Sequence, residues 1–229
     1  MKQSSIEAIP LRFVNAYVIR GERSVLVDTG FPGMADILLN ELKKRDIFMQ
    51  DISLIVLTHG HPDHAGSAAT LQKRLQVPVA IHRLEVEWMR SGQTHLPRPI
   101  RPFGYVVKAI TKPTIDPFEP DIVLEDGMDL TQYGVEGQII HTPGHSPGSI
   151  SILHPDGNCI AGDVLAGSLW RSDSPLYPFL AEDVPLLHHS IAKLVQLPIQ
   201  KVYFGHGFPS TAQEVRHRFA ARLASVREA

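Results

Sequence analysis

Cysteine is nearly absent from this chain: Cys159 stands alone among 229 residues, so no internal disulfide can form. The opening stretch MKQSSIEAIPLRF has neither the apolar core nor the cleavage sequence of a secretory leader. Together these predict a reducing, cytoplasmic setting. No segment approaches the roughly 20 consecutive apolar residues that cross a bilayer, which predicts no membrane partner. Charge bias is missing too, with 22 Lys and Arg against 24 Asp and Glu. Without a basic excess or a basic helix, no nucleic-acid partner is expected. Neither a Walker-type phosphate loop nor a GxSxG elbow occurs, which removes the common nucleotide-binding and serine-hydrolase readings. Fixed-period repeats and low-complexity tracts are lacking as well.

What remains is 43% hydrophobic, enough to bury a sizeable core within one domain over residues 1–229. Residues 16–19 and 25–27 flank Gly21-Glu22-Arg23 as the arms of a β-hairpin, and Asp28-Thr29-Gly30 ends a strand. Over 34–45, Ile37, Leu38 and Leu42 recur at helical spacing before Lys43-Lys44-Arg45, where the helix dipole favours cations. A strand at 52–57 leads into a helix that starts at Pro62 and runs to about Leu75, followed by a strand at 79–81 and a short helix at 84–89. Further strands are predicted at 122–124, 138–140, 149–153 and 159–161, with Pro155-Asp156-Gly157 as a hairpin turn. Helices at 184–195 and 212–226 surround a last strand at 202–204. Two strand-rich halves that each end in helices predict an α/β fold, a four-layer αββα sandwich. Between the halves, residues 91–120 hold Pro97, Pro99, Pro102, Pro113, Pro117 and Pro120 without any regular period, and read as a lid-like insertion.

The densest chemistry lies in Thr58-His59-Gly60-His61-Pro62-Asp63-His64, directly after the apolar strand 52–57. With 12 His in the chain, an HxHxDH pattern arises by chance in about one such sequence in a thousand. Neutral imidazole nitrogen and carboxylate oxygen are the donors of zinc and its first-row neighbours. Pro62 suits the first position of a helix, and Asp63 its first turn. Three more sites share one grammar of strand, small residue and ligand. His145 lies in the Gly/Pro-rich turn Thr142-Pro143-Gly144-His145-Ser146-Pro147-Gly148. Asp163 follows Ile160-Ala161-Gly162, where a buried charge is costly unless a cation or hydrogen bonds compensate it. His206 sits between Gly205 and Gly207, after Val202-Tyr203-Phe204.

On these motifs the chain resembles the metallo-β-lactamase superfamily, from Asp28-Thr29-Gly30 to Gly205-His206-Gly207. The resemblance implies the αββα fold with a site at the edge between the two sheets. It implies one metal held by His59, His61 and His145, a second by Asp63, His64 and His206, and Asp163 bridging them. It also implies a supporting role for Asp28, which a turn-capping role explains equally well. The expected cofactor is two divalent metal ions per chain. Donors without thiolate suit zinc, the metal expected here, while iron and manganese accept the same set. Such a centre lowers the pKa of a bound water to roughly 7 and polarises a carbonyl, so a bridging hydroxide is the implied nucleophile and hydrolysis the implied reaction. Asp63 is the implied catalytic residue, ligating a metal while orienting the nucleophile or taking its proton.

The run TPGHSPGSISIL around His145, and Asp rather than Cys at position 163, look like the glyoxalase II and lactonase side of the superfamily. Only 23 residues follow His206, so the glutathione-binding extension of glyoxalase II is expected to be absent. Lactonases acting on acyl-homoserine lactones carry a tyrosine soon after the bridging aspartate; here Val164-Leu165-Ala166 follows, and Tyr177 is the candidate substitute from a loop. The expected reaction is cleavage of an ester, thioester or lactone of a small metabolite. The alternatives are a single-iron enzyme resembling persulfide dioxygenases, a phosphodiesterase, and a protein that uses metal structurally.

Between Trp88 and Ile115 the chain carries Arg90, Arg98, Arg101, Lys108 and Lys112 with no acidic residue, beside Ile100, Phe103, Tyr105, Val106 and Val107. A lid of that character fits a small-molecule substrate with an acyl body and an anionic group; the competing use is an interface in a homodimer. His82, His95, His141, His154, His188, His189 and His217 fall outside the ligand pattern, with His141 the best placed of them. Cys159, inside an apolar strand, reads as a small buried hydrophobe. Trp170 and Tyr177 follow Asp163 and are candidates to line a pocket.

Overall fold

Strand after strand alternates between two apolar environments, and that alternation builds the layers. A computed structural model of the protein describes residues 4–227, with side chains described up to residue 220. The first sheet runs in the order β1 (Ser5–Leu11), β2 (Val14–Arg20), β3 (Ser24–Val27), β4 (Ile52–Val56), β5 (Val79–His82), β6 (Ile122–Leu124). β1, β2 and β3 pair antiparallel, and β3 to β6 pair parallel. The second sheet is built from β7 (Gln138–His141), β8 (Ile150–Leu153), β9 (Asn158–Ile160), β10 (Lys201–Tyr203) and β11 (Ser210–Thr211), in the order β11-β10-β9-β8-β7. Only β9 and β10 run parallel in it.

In β4, Leu54 and Val56 point into the core between the sheets, while Ile55 and the following Leu57 point outward under helices. β5 repeats the pattern, with Ala80 inward and Val79 and Ile81 outward. Both faces being buried, these strands read as near-continuous apolar runs. From the second sheet, Ile139, Ile150, Ile152 and Ile160 complete the central layer. The outer face of the first sheet is covered by α1 (Ala35–Lys43), α3 (Ala68–Leu75) and α4 (Val86–Ser91), the second of these preceded by the short α2 (Pro62–Ala65). α5 (Gly104–Ile110) lies in the intervening segment. The second sheet is covered by α6 (Val184–Gln196) and α7 (Ala212–Arg227), whose Leu187, Ile191, Leu194, Val215 and Phe219 pack on Cys159, Val202 and Phe204. The result is the αββα sandwich expected from the sequence. No described helix is long and apolar enough to cross a membrane.

Three local differences from the sequence reading have physical causes. The helix expected over 62–75 is two helices, because Ser67 leaves the helical path: its amide donates to Thr29 Oγ1 (3.2 Å), its hydroxyl donates to the Phe31 carbonyl (2.7 Å), and it accepts from the Met34 amide (3.0 Å). β1, an edge strand, was not anticipated, since Glu7 and Pro10 interrupt its alternation; an edge position tolerates a proline. Residues 91–120 are not structureless. They contain α5, a pairing of Arg98–Pro99 with Leu180–Ala181, and a bridge between Gln93 and Thr114. Only Gly104 of α5 is buried, so that helix carried no apolar stripe to read.

Candidate metal centre

The two sheets are stitched together at one edge by backbone. The Ile150 amide donates to the Thr58 carbonyl (2.9 Å). Asn15 on β2 donates its side-chain amide to the carbonyls of Phe204 (3.0 Å) and Gly207 (2.9 Å), and the Tyr17 hydroxyl also donates to Phe204 (2.6 Å). At this edge the chain leaves β4 with His59, crosses from β7 to β8 with His145, leaves β9 with Asp163 and leaves β10 with His206. Pro62 opens α2, as its fixed backbone angle favours, and α2 carries Asp63 and His64.

All seven predicted ligand residues converge there. Three sets have donor atoms within 4.8 Å of one another: His59, His61 and His145; His59, His64 and Asp163; and Asp63, His64 and His206. Each of four imidazoles has one ring nitrogen engaged by a group outside the cluster, which leaves the other facing in. His59 Nδ1 meets Thr58 Oγ1 (3.1 Å), His64 Nδ1 meets Asp28 Oδ2 (2.8 Å), His145 Nδ1 meets the Leu180 carbonyl (2.9 Å), and His206 Nδ1 meets the Phe13 carbonyl (2.6 Å). Such outward hydrogen bonds set the tautomer and present a lone pair inward, the arrangement that supports metal-ligating histidines. Three inward atoms lack ordinary partners: His59 Nε2, His64 Nε2 and Asp163 Oδ1 are buried without a hydrogen bond, a costly condition that a cation relieves. His61 Nδ1 and His145 Nε2 face each other at 2.9 Å.

Asp163 reaches both halves of the cluster. Its Oδ2 lies 3.2 Å from His206 Nε2 and 3.8 Å from His145 Nε2, and its Oδ1 lies 3.6 Å from His64 Nε2. Asp63 Oδ2 lies 3.2 Å from His206 Nε2 and 3.8 Å from His64 Nε2. Close approach of these groups requires Gly205, where a Cβ would collide with Asp163 Oδ1 and His64 Cε1.

The electrostatics divide in a telling way. Burial holds His59 well below the ordinary imidazole value, pushes His61 down to about 3, and lowers His145. Burial opposes charge on His64 too, yet Asp63, Asp163 and Asp28 raise it to about 9, and Asp163 and Asp63 raise His206 well above normal in the same manner. Against burial, the imidazoles of His64 and His206 hold the Asp63 and Asp163 carboxyls far below the usual carboxylate range. One half of the cluster thus presents neutral lone pairs, and the other demands positive charge between two carboxylates. Divalent cations satisfy both halves at once, so the donor set fits metal.

Asp28 stands behind the cluster with its backbone in the left-handed region (φ 63°). Its carboxylate accepts from the Thr58 amide, the Thr58 hydroxyl and His64 Nδ1, each at 2.8 Å. Sequence reasoning missed Glu85. This buried carboxyl accepts from the Gly60 amide (2.5 Å), the Gly148 amide (2.8 Å) and the Ser146 hydroxyl (2.5 Å), and so ties the His59–His61 loop of one sheet to the His145 loop of the other. A Cβ at Gly148 would lie 2.8 Å from Glu85 Cγ, and one at Gly60 would lie 3.1 Å from Glu85 Oε2. Burial raises Glu85 to about 7 even though these donors pull it down. Nothing in the helix pattern at 84–89 marks it; the two glycines are the only trace in the sequence.

The remaining candidates sit elsewhere. His141 stacks on His82 with ring centroids 4.1 Å apart and meets the Pro147 carbonyl through Nε2 (2.9 Å). The Tyr177 ring packs edge-on against Phe219 of α7 and tilted against His188 of α6. Trp170 is 90% exposed. Cys159 is fully buried, and burial pushes its thiol up to about 12.

Comparison with known proteins agrees with this geometry. Residues 9–206 match the metallo-beta-lactamase superfamily. The chain is 28% identical to the probable metallo-hydrolase YflN of Bacillus subtilis, over 96% of this chain and 92% of that protein. It is 30% identical to the hydroxyacylglutathione hydrolase GloC of Haemophilus influenzae, over 67% of each. Among solved structures, BLEG-1, a B3 metallo-beta-lactamase, is similar with a TM-score of 0.71 at 27% identity, over 93% of this chain and 97% of that one.

Proposed function

Since the chain belongs to the metallo-β-lactamase superfamily and is a metal-dependent hydrolase, we propose that it holds two divalent ions, zinc at both positions, and cleaves an ester, thioester or lactone of a small metabolite. The observation that carries this reading is the set of inward, unpartnered donors on His59, His64 and Asp163. His59, His61 and His145 would hold one ion, Asp63, His64 and His206 the other, and Asp163 both. Ions held there supply a hydrolytic water acidified toward neutral pH and an electrophile for the carbonyl oxygen.

The protein's own groups supply position and proton transfer. His145 and His206 are anchored through the carbonyls of Leu180 and Phe13, so neither ring is free to rotate away. Asp63, whose side chain is 20% exposed, is the only carboxylate of the cluster with appreciable access to solvent. It orients the attacking water and takes its proton, since Oδ2 faces His206 and the second oxygen remains for that role. Trp88 lies parallel to His61 with ring centroids 6.1 Å apart and shields that ligand.

The substrate class rests on two supports. GloC is, by its name, a hydrolase of hydroxyacylglutathione, and the chain is similar to it over two thirds of its length. The basic, apolar segment 91–120 is paired through Arg98–Pro99 to Leu180–Ala181, next to the carbonyl that anchors His145. A substrate with an acyl body and an anionic group fits beneath such a segment. Purified protein of measured metal content, assayed against thioesters, lactones, phosphodiesters and β-lactams, tests the reading. Two zinc ions per chain with thioester or lactone turnover is the expected result. A single iron with oxygen uptake, or turnover confined to phosphodiesters, would refute it.

A further inference from the structure

Away from the metal centre, Arg101, Leu176, Tyr177, Arg218 and Phe219 line a cavity of about 350 Å³. Two arginines line it from separate elements, Arg101 from the segment before α5 and Arg218 from α7, and among the described residues no acidic residue lines it. Among the described residues neither Arg101 nor Arg218 pairs with a carboxylate, unlike Arg20, Arg45, Arg74, Arg83 and Arg90.

Arg101 is held in place rather than left to solvent. Its Nη1 donates to the Tyr177 carbonyl (2.9 Å), and its guanidinium lies 4.6 Å from the centroid of the Phe179 ring. Burial works against its charge, a cost that a neighbouring anion offsets. The other walls are apolar: Leu176, and the Tyr177 and Phe219 rings packed edge-on with centroids 4.8 Å apart. The volume is at the small end of the range for small-molecule sites, about 300 to 1,000 Å³.

We propose that this cleft binds a small amphipathic anion, its carboxylate or phosphate seated between Arg101 and Arg218 and its apolar body against Leu176, Tyr177 and Phe219. A guanidinium presents paired donors that match the oxygens of either anion, and two of them in one cleft without a competing carboxylate leave that match unfilled. The strap from Tyr177 runs on to Leu180, whose carbonyl anchors His145, so the cleft and the metal centre share one stretch of backbone.

Calorimetric titration of the metal-loaded full chain with benzoate, and in parallel with inorganic phosphate, tests the proposal. Carboxylates also ligate metals, so the arginine variants carry the distinction. Benzoate is expected to saturate at millimolar concentration or below, with affinity reduced at least about ten-fold by Arg218→Ser and by Arg101→Ser. Lys73→Ser, which removes a charge from α3 on the opposite layer, is expected to change nothing. Phosphate, lacking an apolar body, is expected to bind more weakly than benzoate. Arg218 is exposed on a helix surface, so its variant tests the site even where Arg101→Ser disturbs the Tyr177 strap. No saturation by about 20 mM benzoate, phosphate binding as tight as benzoate, or benzoate binding that survives Arg218→Ser overturns the proposal; the last outcome locates the carboxylate at the metals.

Discussion

His64 Nδ1 and Asp28 Oδ2 meet at 2.8 Å in a fully enclosed pair, and the same carboxylate accepts the amide and hydroxyl of Thr58. Thr58 in turn touches His59 Nδ1. One buried aspartate therefore orients two of the proposed ligands, one directly and one through a hydroxyl.

Asp28→Asn keeps the shape and tolerates the left-handed backbone, but it removes the charge that orients His64. Zinc affinity is expected to fall by about 10- to 100-fold, with turnover persisting at saturating metal. Asp63→Ala, which deletes a ligand and the proton acceptor together, is expected to abolish turnover even then. Competition against a chromophoric chelator, with rates measured at each metal concentration, separates the two; equal loss in both would contradict the assigned roles.

Glu85 confers a pH dependence of known sign. Its folded value is raised from 4.5 to about 7 by burial, so between those values the folded protein keeps a proton that the unfolded chain has released. Its contribution is complete below the unfolded value and is lost as pH rises through the folded one, by ~1.4 kcal/mol per pH unit and about 3 kcal/mol in all. Glu85→Gln has no such group. The stability difference between variant and wild type, from urea unfolding at several pH values, is expected to shift in the variant's favour from about pH 5 to 7. A constant difference would count against this assignment.

Chelation is expected to destabilise the protein, because the buried donors lose the cations that bind only the folded chain. At free metal 100-fold above Kd the linkage is worth ~2.7 kcal/mol. Melting temperature is therefore expected to drop by several degrees in EDTA and to recover on adding zinc. An unchanged melt under both conditions would argue against bound metal in the native state.

Cys159 is expected to resist thiol reagents. It is fully buried and its thiol is pushed up to about 12, so almost no thiolate exists near neutral pH. A disulfide-exchange reagent is expected to label it only after unfolding, and labelling of the native protein at the rate of a free thiol would show that β9 opens readily.

The four residues His59, His61, Asp63 and His64 are legible in the sequence because they lie within one turn after an apolar strand. His145, Asp163 and His206 follow the same local rule, each a ligand beside small residues at a strand end. Glu85 is illegible for the opposite reason. Its donors come from Gly60, Ser146 and Gly148, on two loops of two sheets, and no spacing along the chain records that meeting. The break between α2 and α3 was hidden similarly, since Ser67 leaves the helix for partners at Thr29, Phe31 and Met34.

By itself the sequence determined the order of the strands and helices that carry a clear apolar period, which leaves out β1, α5 and the break between α2 and α3, together with the kinds of donor available, since these follow from periodicity and side-chain chemistry among neighbours in the chain. Only the tertiary structure decided which ring nitrogen of each histidine faces inward, that Asp28 supports His64, that Glu85 joins the two halves of the centre, and that Arg101 and Arg218 share a cleft. Those outcomes depend on atoms distant in the chain arriving within a few ångströms of one another, and only the packing of the two sheets and their helices brings them there.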